Sequence, residues 1–180
     1  MTQRRIYQDE YPYFVTFRAK DGYAFFNDSK HTRLLGRIIF KTCEIKCYEV
    51  LSYQMMPDHV HLLVNRHPQA QPAVVARQSR KANAGTAASV RSRGKETGDF
   101  NITELLHGIK SYYINELRKK HNIPYSIWQK RFYTCIVDSE RYLENVIYYI
   151  KKNPIKAELP RKYHEMPYQY FNWDKIKELF

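Results

Sequence analysis

The run His59-Val60-His61-Leu62-Leu63-Val64 constrains the fold more than any other stretch. It is rich in β-prone residues and follows Pro57-Asp58, a tight-turn pair. Side chains alternate along a strand, so His59, His61 and Leu63 share one face and Val60, Leu62 and Val64 share the other. The valine face must be buried. The opposite face carries two imidazoles about 7 Å apart along the strand, close enough to converge on one divalent cation. The alternative is a pair of hydrogen-bonded core or rim histidines, and a single strand does not decide between the two. A third ligand, and any chemistry, must come from elsewhere in the chain.

The flanking sequence supplies elements of matching kind. Tyr13–Arg18 reads as a first strand. Asp28 or Ser29 caps a predicted helix from about 30 to 42, with Leu34, Leu35, Ile38 and Ile39 on one side. A second strand is expected between Ile45 and Met56, so the histidine strand completes a hairpin. Asn101-x-x-Glu104 has the form of a helix cap. It precedes a helix to about Lys120 with Ile102, Leu105, Leu106, Ile109, Tyr113 and Leu117 at helical spacing. Tyr133–Val137 reads as a further strand. Asp138 or Ser139 then caps a helix expected to run to Lys152, where Asn153-Pro154 stops it. The order β-α-β-β-α-β-α predicts an α+β domain: a ferredoxin-like antiparallel sheet with helices packed on one face.

One domain over residues 1–180 accommodates all of this. Two stretches stand apart. About 66–100 is basic and lacks apolar periodicity, as in a flexible insertion. The tail 157–180 is aromatic and basic and is expected to wrap the domain. The 30 Lys and Arg outnumber the 18 Asp and Glu, for a net charge of +12. Such an excess points to a polyanion, nucleic acid before an anionic membrane surface. The 16 Tyr, 9 Phe and 2 Trp favour nucleic acid, since rings stack on bases while cations neutralise phosphates. Three cysteines, Cys43, Cys47 and Cys135, form no CxxC pair and no disulfide framework, which fits a reducing cytoplasm. No signal-peptide pattern opens the sequence, and no run has the ~18 apolar residues of a membrane span.

The last helix offers a partner for the histidines. Stepping about 100° per residue, Tyr148 falls ~150° from the centre of its apolar face and points to solvent. Tyr149 falls ~110° away on the other flank, and Asn153 lies only ~40° from Tyr149, one turn on. A helix docked near the face of His59 and His61 delivers a phenol and an amide oxygen to them. Tyr149 could then attack a phosphodiester, forming a phosphotyrosine, while His59, His61 and Asn153 hold a divalent ion that polarises the phosphate. One hard carbonyl-type ligand favours Mg²⁺ or Mn²⁺ over structural zinc. The alternative for Tyr149 is a helix tyrosine that packs its ring and wets its hydroxyl.

Pro57-Asp58-His59-Val60-His61-Leu62-Leu63-Val64 resembles the His-hydrophobic-His (HUH) motif of single-tyrosine, IS200-like transposases. Trp128-Gln129-Lys130-Arg131-Phe132-Tyr133 and Tyr149-Ile150-Lys151-Lys152-Asn153-Pro154 resemble that family's C-terminal half, with the nearest likeness to the REP-associated branch. The resemblance runs from about Tyr11 to Leu159. It implies an HUH endonuclease fold that cuts and rejoins single-stranded DNA near hairpins of palindromic repeats. The nucleophile carries over to Tyr149 and the ligands to His59, His61 and Asn153; a monomer or homodimer is compatible with it. For DNA contact, Lys110, Arg131 and Lys152 are candidates for phosphates and Trp128 for a base, against solvated charges and a core indole. Two competitors remain: a non-catalytic single-stranded DNA- or RNA-binding domain, which has no need of the histidine pair, and a metal-dependent hydrolase using water, which has no need of Tyr149.

Overall fold

The computed structural model describes residues 10–66, 100–121 and 126–179. The basic stretch expected at about 66–100 therefore lies, apart from its end residues, outside the described residues. The elements are β1 (Tyr13–Ala19), α1 (Ser29–Ile45), β2 (Tyr48–Met55), β3 (His59–Arg66), α2 (Ile102–His121), β4 (Trp128–Ile136), α3 (Glu140–Lys156), β5 (Gln169–Phe171) and α4 (Trp173–Lys177). The five strands run antiparallel in the order β4-β1-β3-β2-β5. The first four follow the ferredoxin-like order, and the class expected from the sequence holds.

The pleat sorts the core into two layers. Val15 and Phe17 of β1 and Val60, Leu62 and Val64 of β3 pack with Leu35 and Ile39 of α1 and Leu105 and Ile109 of α2. On the opposite face Phe14, Leu51 and Leu63 pack with Leu143, Val146 and Ile150 of α3 and Ile176 of α4. Helices thus cover both faces, not the single face expected. The histidine face carries its own apolar residues, and leaving Phe14, Leu51 and Leu63 in water would forfeit their burial. Covering them seats α3 over the β1–β3 seam, where β1 pairs Thr16 with His61 and Arg18 with His59.

Local chemistry accounts for the helix starts. Asp28 accepts from the Lys30 backbone N–H at 2.7 Å at the head of α1. Asn101 and Glu104 close a reciprocal capping box at the head of α2, at 3.0 and 3.2 Å. The end of α3 differs from expectation. The helix passes through Pro154 and ends at Lys156. Pro154 removes the backbone donor to the Ile150 carbonyl, yet the following Ala157 N–H bonds to the Asn153 carbonyl at 3.1 Å and closes the last turn. Asn153 therefore keeps helical geometry one turn beyond Tyr149.

The tail forms β5 against the outer edge of β2, pairing Tyr53 with Tyr170 and Gln54 with Gln169. Buried Gln54 donates to the Tyr163 carbonyl at 3.0 Å and accepts from Gln169 at 2.7 Å. That edge is thereby closed to foreign strands. Among the described residues no helix is long and apolar enough to cross a membrane.

Candidate active site

His59 and His61 project from β3 toward α3, and their Nε2 atoms lie 3.1 Å apart. Each ring is held through its other nitrogen. His59 Nδ1–H donates to Asp58 Oδ1 at 2.6 Å, which leaves Nε2 with its lone pair. The Asn153 amide reaches His61 Nε2 at 2.6 Å. With the amide nitrogen donating there, His61 carries its proton on Nδ1 and donates it to Thr16 Oγ1 at 2.9 Å. Phe14 stacks on the His61 ring, centroids 5.7 Å apart. Tyr149 meets His61 edge-on at 5.1 Å and Phe14 at 5.9 Å.

Both imidazoles are neutral at neutral pH. Burial, then the neighbouring charges of His59 and Arg18, pushes His61 down to about 3. Burial also lowers His59, outweighing the carboxylate of Asp58, so that pair is a hydrogen bond from a neutral ring rather than an ion pair. Two unprotonated Nε2 atoms 3.1 Å apart concentrate negative potential, which the Asn153 amide N–H meets in this arrangement and a bound cation would meet in its place. Two ligands at right angles around a cation with ~2.1 Å bonds would stand about 3.0 Å apart, which this pair matches. Among the described residues no third His, Cys, Asp or Glu joins them. The third donor in reach is Asn153, whose amide presents its oxygen to a cation by a half-turn about its last bond. The donor set of two neutral imidazoles and an amide oxygen suits a divalent cation.

The structure thus brings together His59, His61, Asn153 and Tyr149 around the β1–β3 seam. Tyr149 is 43% exposed. Tyr148 is 59% exposed on the other side of the helix, with the Lys152 ammonium 5.9 Å from its ring centre. Lys152 therefore stands by Tyr148 rather than at the histidines. Arg131 is exposed and lines a cleft of about 650 Å³ that also reaches Thr16, Arg18, His61 and Tyr149.

Two residues expected to touch DNA are largely buried. Trp128 is 7% exposed and packs against Phe17, Phe26 and Tyr113, with centroids 5.2 to 5.6 Å away. Lys110 is 8% exposed and its ammonium donates to the Gln129 carbonyl at 2.9 Å. The basic-aromatic pattern could not show this, because burial of both side chains follows from α2 docking under β4. Trp128→Ala is expected to cost about 3–5 kcal/mol of stability in denaturant unfolding. A loss under ~1 kcal/mol would show that the indole is not a core residue. Conversely, Thr16, Arg18 and Asp58 join the site without having been singled out. Asp58 was signalled by its place before the first histidine. Thr16 and Arg18 needed the β1–β3 register, which their period-2 spacing from Phe14 hints at but does not establish.

A family profile described as "Transposase IS200 like" matches residues 7–97, just over half of the chain, including both histidines of the site. A curated Haemophilus influenzae relative, named as a REP-associated tyrosine transposase, is 26% identical over 140 residues, covering 78% of this chain and 68% of that protein. A solved structure of a REP-associated tyrosine transposase bound to a REP hairpin aligns over 100% of this chain and 88% of that one. Its TM-score is 0.66 at 17% identity, a likeness of fold. Tyr149 and Asn153 lie beyond the stretch matched by the profile, and it is α3 that carries them back to the histidines inside it. With strand order, histidine pair and profile in agreement, the chain belongs to the IS200-like transposase family.

Proposed function

We propose that this transposase cuts and rejoins single-stranded DNA at hairpin-forming palindromic sequences through a 5′-phosphotyrosine on Tyr149, with Mg²⁺ or Mn²⁺ held by His59, His61 and Asn153. The observation that carries this reading is the edge-on contact of the Tyr149 ring, 43% exposed, with the His61 ring, whose Nε2 lies 3.1 Å from that of His59. An ion bound there supplies Lewis-acid polarisation of the scissile phosphate.

The chain's own groups do the rest. Asp58 and Thr16 hold the imidazoles in the tautomers that leave both Nε2 atoms unprotonated, 3.1 Å apart. The Tyr149 oxygen bonds to phosphorus as the P–O3′ bond breaks, and the phenol proton ends on the departing 3′ oxygen. The 5′ side stays on the enzyme with its energy retained in the phosphoester, so a free 3′-OH can reverse the step and join strands without an external energy source. Phe14 packs the nucleophile and His61 against the sheet, which limits their motion relative to each other. All four residues come from one chain, so a monomer suffices. A pure nucleic-acid binder has no use for converging neutral imidazoles, and a water-using hydrolase has no use for a tyrosine edge-on to them.

The test is a labelled hairpin-bearing single strand incubated with the protein and Mn²⁺, then run on a denaturing gel. A covalent protein–DNA adduct that EDTA abolishes is the expected result. Cleavage without any adduct would favour water as nucleophile, and binding without cleavage would favour the binding module.

A further inference from the structure

We infer that the cleft beside Tyr149 is a base-reading pocket, in which Gln129 and Asn145 hydrogen-bond to the edge of one unpaired nucleobase adjoining the scissile phosphate. This rests on the strand-cleaving reading above and adds to it how the enzyme chooses its site.

The walls follow from two periodicities. β4 pairs Tyr133 with Thr16, so Tyr133, Arg131 and Gln129, at period 2, turn to the face that carries His61. On the opposite wall, Asn145, Tyr149 and Asn153 are spaced four apart along one edge of α3. The nucleophile is therefore flanked by two amides, one toward the histidines and one in the cleft. The volume of about 650 Å³ falls in the range of pockets that enclose a small ligand, and a nucleotide fits it. No Asp or Glu lines it. The side chains of Arg18, Arg131, Gln129 and Asn145 have no hydrogen-bond or ion-pair partner among the described residues.

These groups suit a nucleotide in a strand. Asn and Gln each offer a donor and an acceptor side by side, the pattern that matches a base edge. The edge of an unpaired base is free to be read in this way. Tyr133 is exposed at the cleft and offers a ring for stacking. Arg18 sits across from His59, and Arg131 stands on the other strand of the wall. Two guanidiniums placed so can take the phosphates on either side of the base.

The experiment uses a pool of hairpin-bearing oligonucleotides with a randomised single-stranded flank. The pool is bound by the wild-type protein in EDTA, and the retained strands are sequenced. One base is expected to be enriched at one position, and Mn²⁺-dependent cleavage of the same pool should map next to it. Asn145→Ala and Gln129→Ala should each reduce that enrichment about tenfold. Asn145→Asp replaces a donor by an acceptor and should shift the preference toward a base that presents an amino group, which a structural role would not do. Arg18→Gln should weaken all sequences alike and lower the salt slope by about one. No enriched position, an enrichment remote from the cut, or an enrichment unchanged in both amide variants overturns the inference. The enrichment is read without cutting, so an absent adduct counts against the tyrosine chemistry alone.

Discussion

Tyr149→Phe is expected to abolish the covalent adduct, with strand cleavage down roughly 10⁴-fold or more, because the variant keeps the ring and loses only the attacking oxygen. Its contacts with His61 at 5.1 Å and Phe14 at 5.9 Å are made by the ring, so folding and oligonucleotide binding should persist. Tyr148→Phe provides the contrast. It alters the neighbouring residue on the solvent side of α3, 59% exposed, and should retain the adduct. Cleavage at the wild-type rate in Tyr149→Phe would sink the assignment of the nucleophile. Loss of the adduct in both variants would show that the effect is not specific to the Tyr149 hydroxyl.

The second large effect concerns His61. His61→Gln removes the imidazole that touches His59, Asn153 and Thr16 at once, at 3.1, 2.6 and 2.9 Å. Mn²⁺ binding, measured by calorimetry, should weaken by more than the ~10–100-fold that loss of a supporting hydrogen bond costs. Thr16→Val removes only that support and should fall inside the range. Adduct formation should follow metal affinity in both, recovering in Thr16→Val at high Mn²⁺. Equal Mn²⁺ affinity in wild type and His61→Gln would show that the pair does not hold the ion. Because His61 also stacks on Phe14, the melting temperature of each variant is needed to separate a lost ligand from a loosened core.

Much of the architecture was legible because it rests on short-range rules. Alternation along His59–Val64 separated the imidazole face from the valine face, and the observed core splits Leu63 from Val60, Leu62 and Val64 in the same way. The cap at Asn101 and Glu104 forms the reciprocal bonds that its spacing promised. Helical spacing put Tyr149 and Asn153 on one edge and Tyr148 on another. The misplacements came where one neighbour overrode a local rule. Pro154 reads as a stop, yet α3, held by the packing of Leu143, Val146 and Ile150 on the sheet, continues through it to Lys156. Lys110 and Trp128 read as surface groups of a basic protein, yet docking of α2 encloses both.

The sequence by itself determined the elements, their order, which side chains share a strand face or helix edge, and the charge that calls for a polyanion. These depend on pleat, helical pitch and composition, all local or additive. Only the tertiary structure decided that α3 covers the histidine face instead of joining α1 and α2. That choice depends on apolar surface of Phe14, Leu51 and Leu63 gathered from three strands distant in the chain. It turns His61 and Tyr149, some ninety residues apart, into neighbours about 5 Å from each other. It also forms the cleft between β4 and α3, which brings Gln129 and Asn145 to one space.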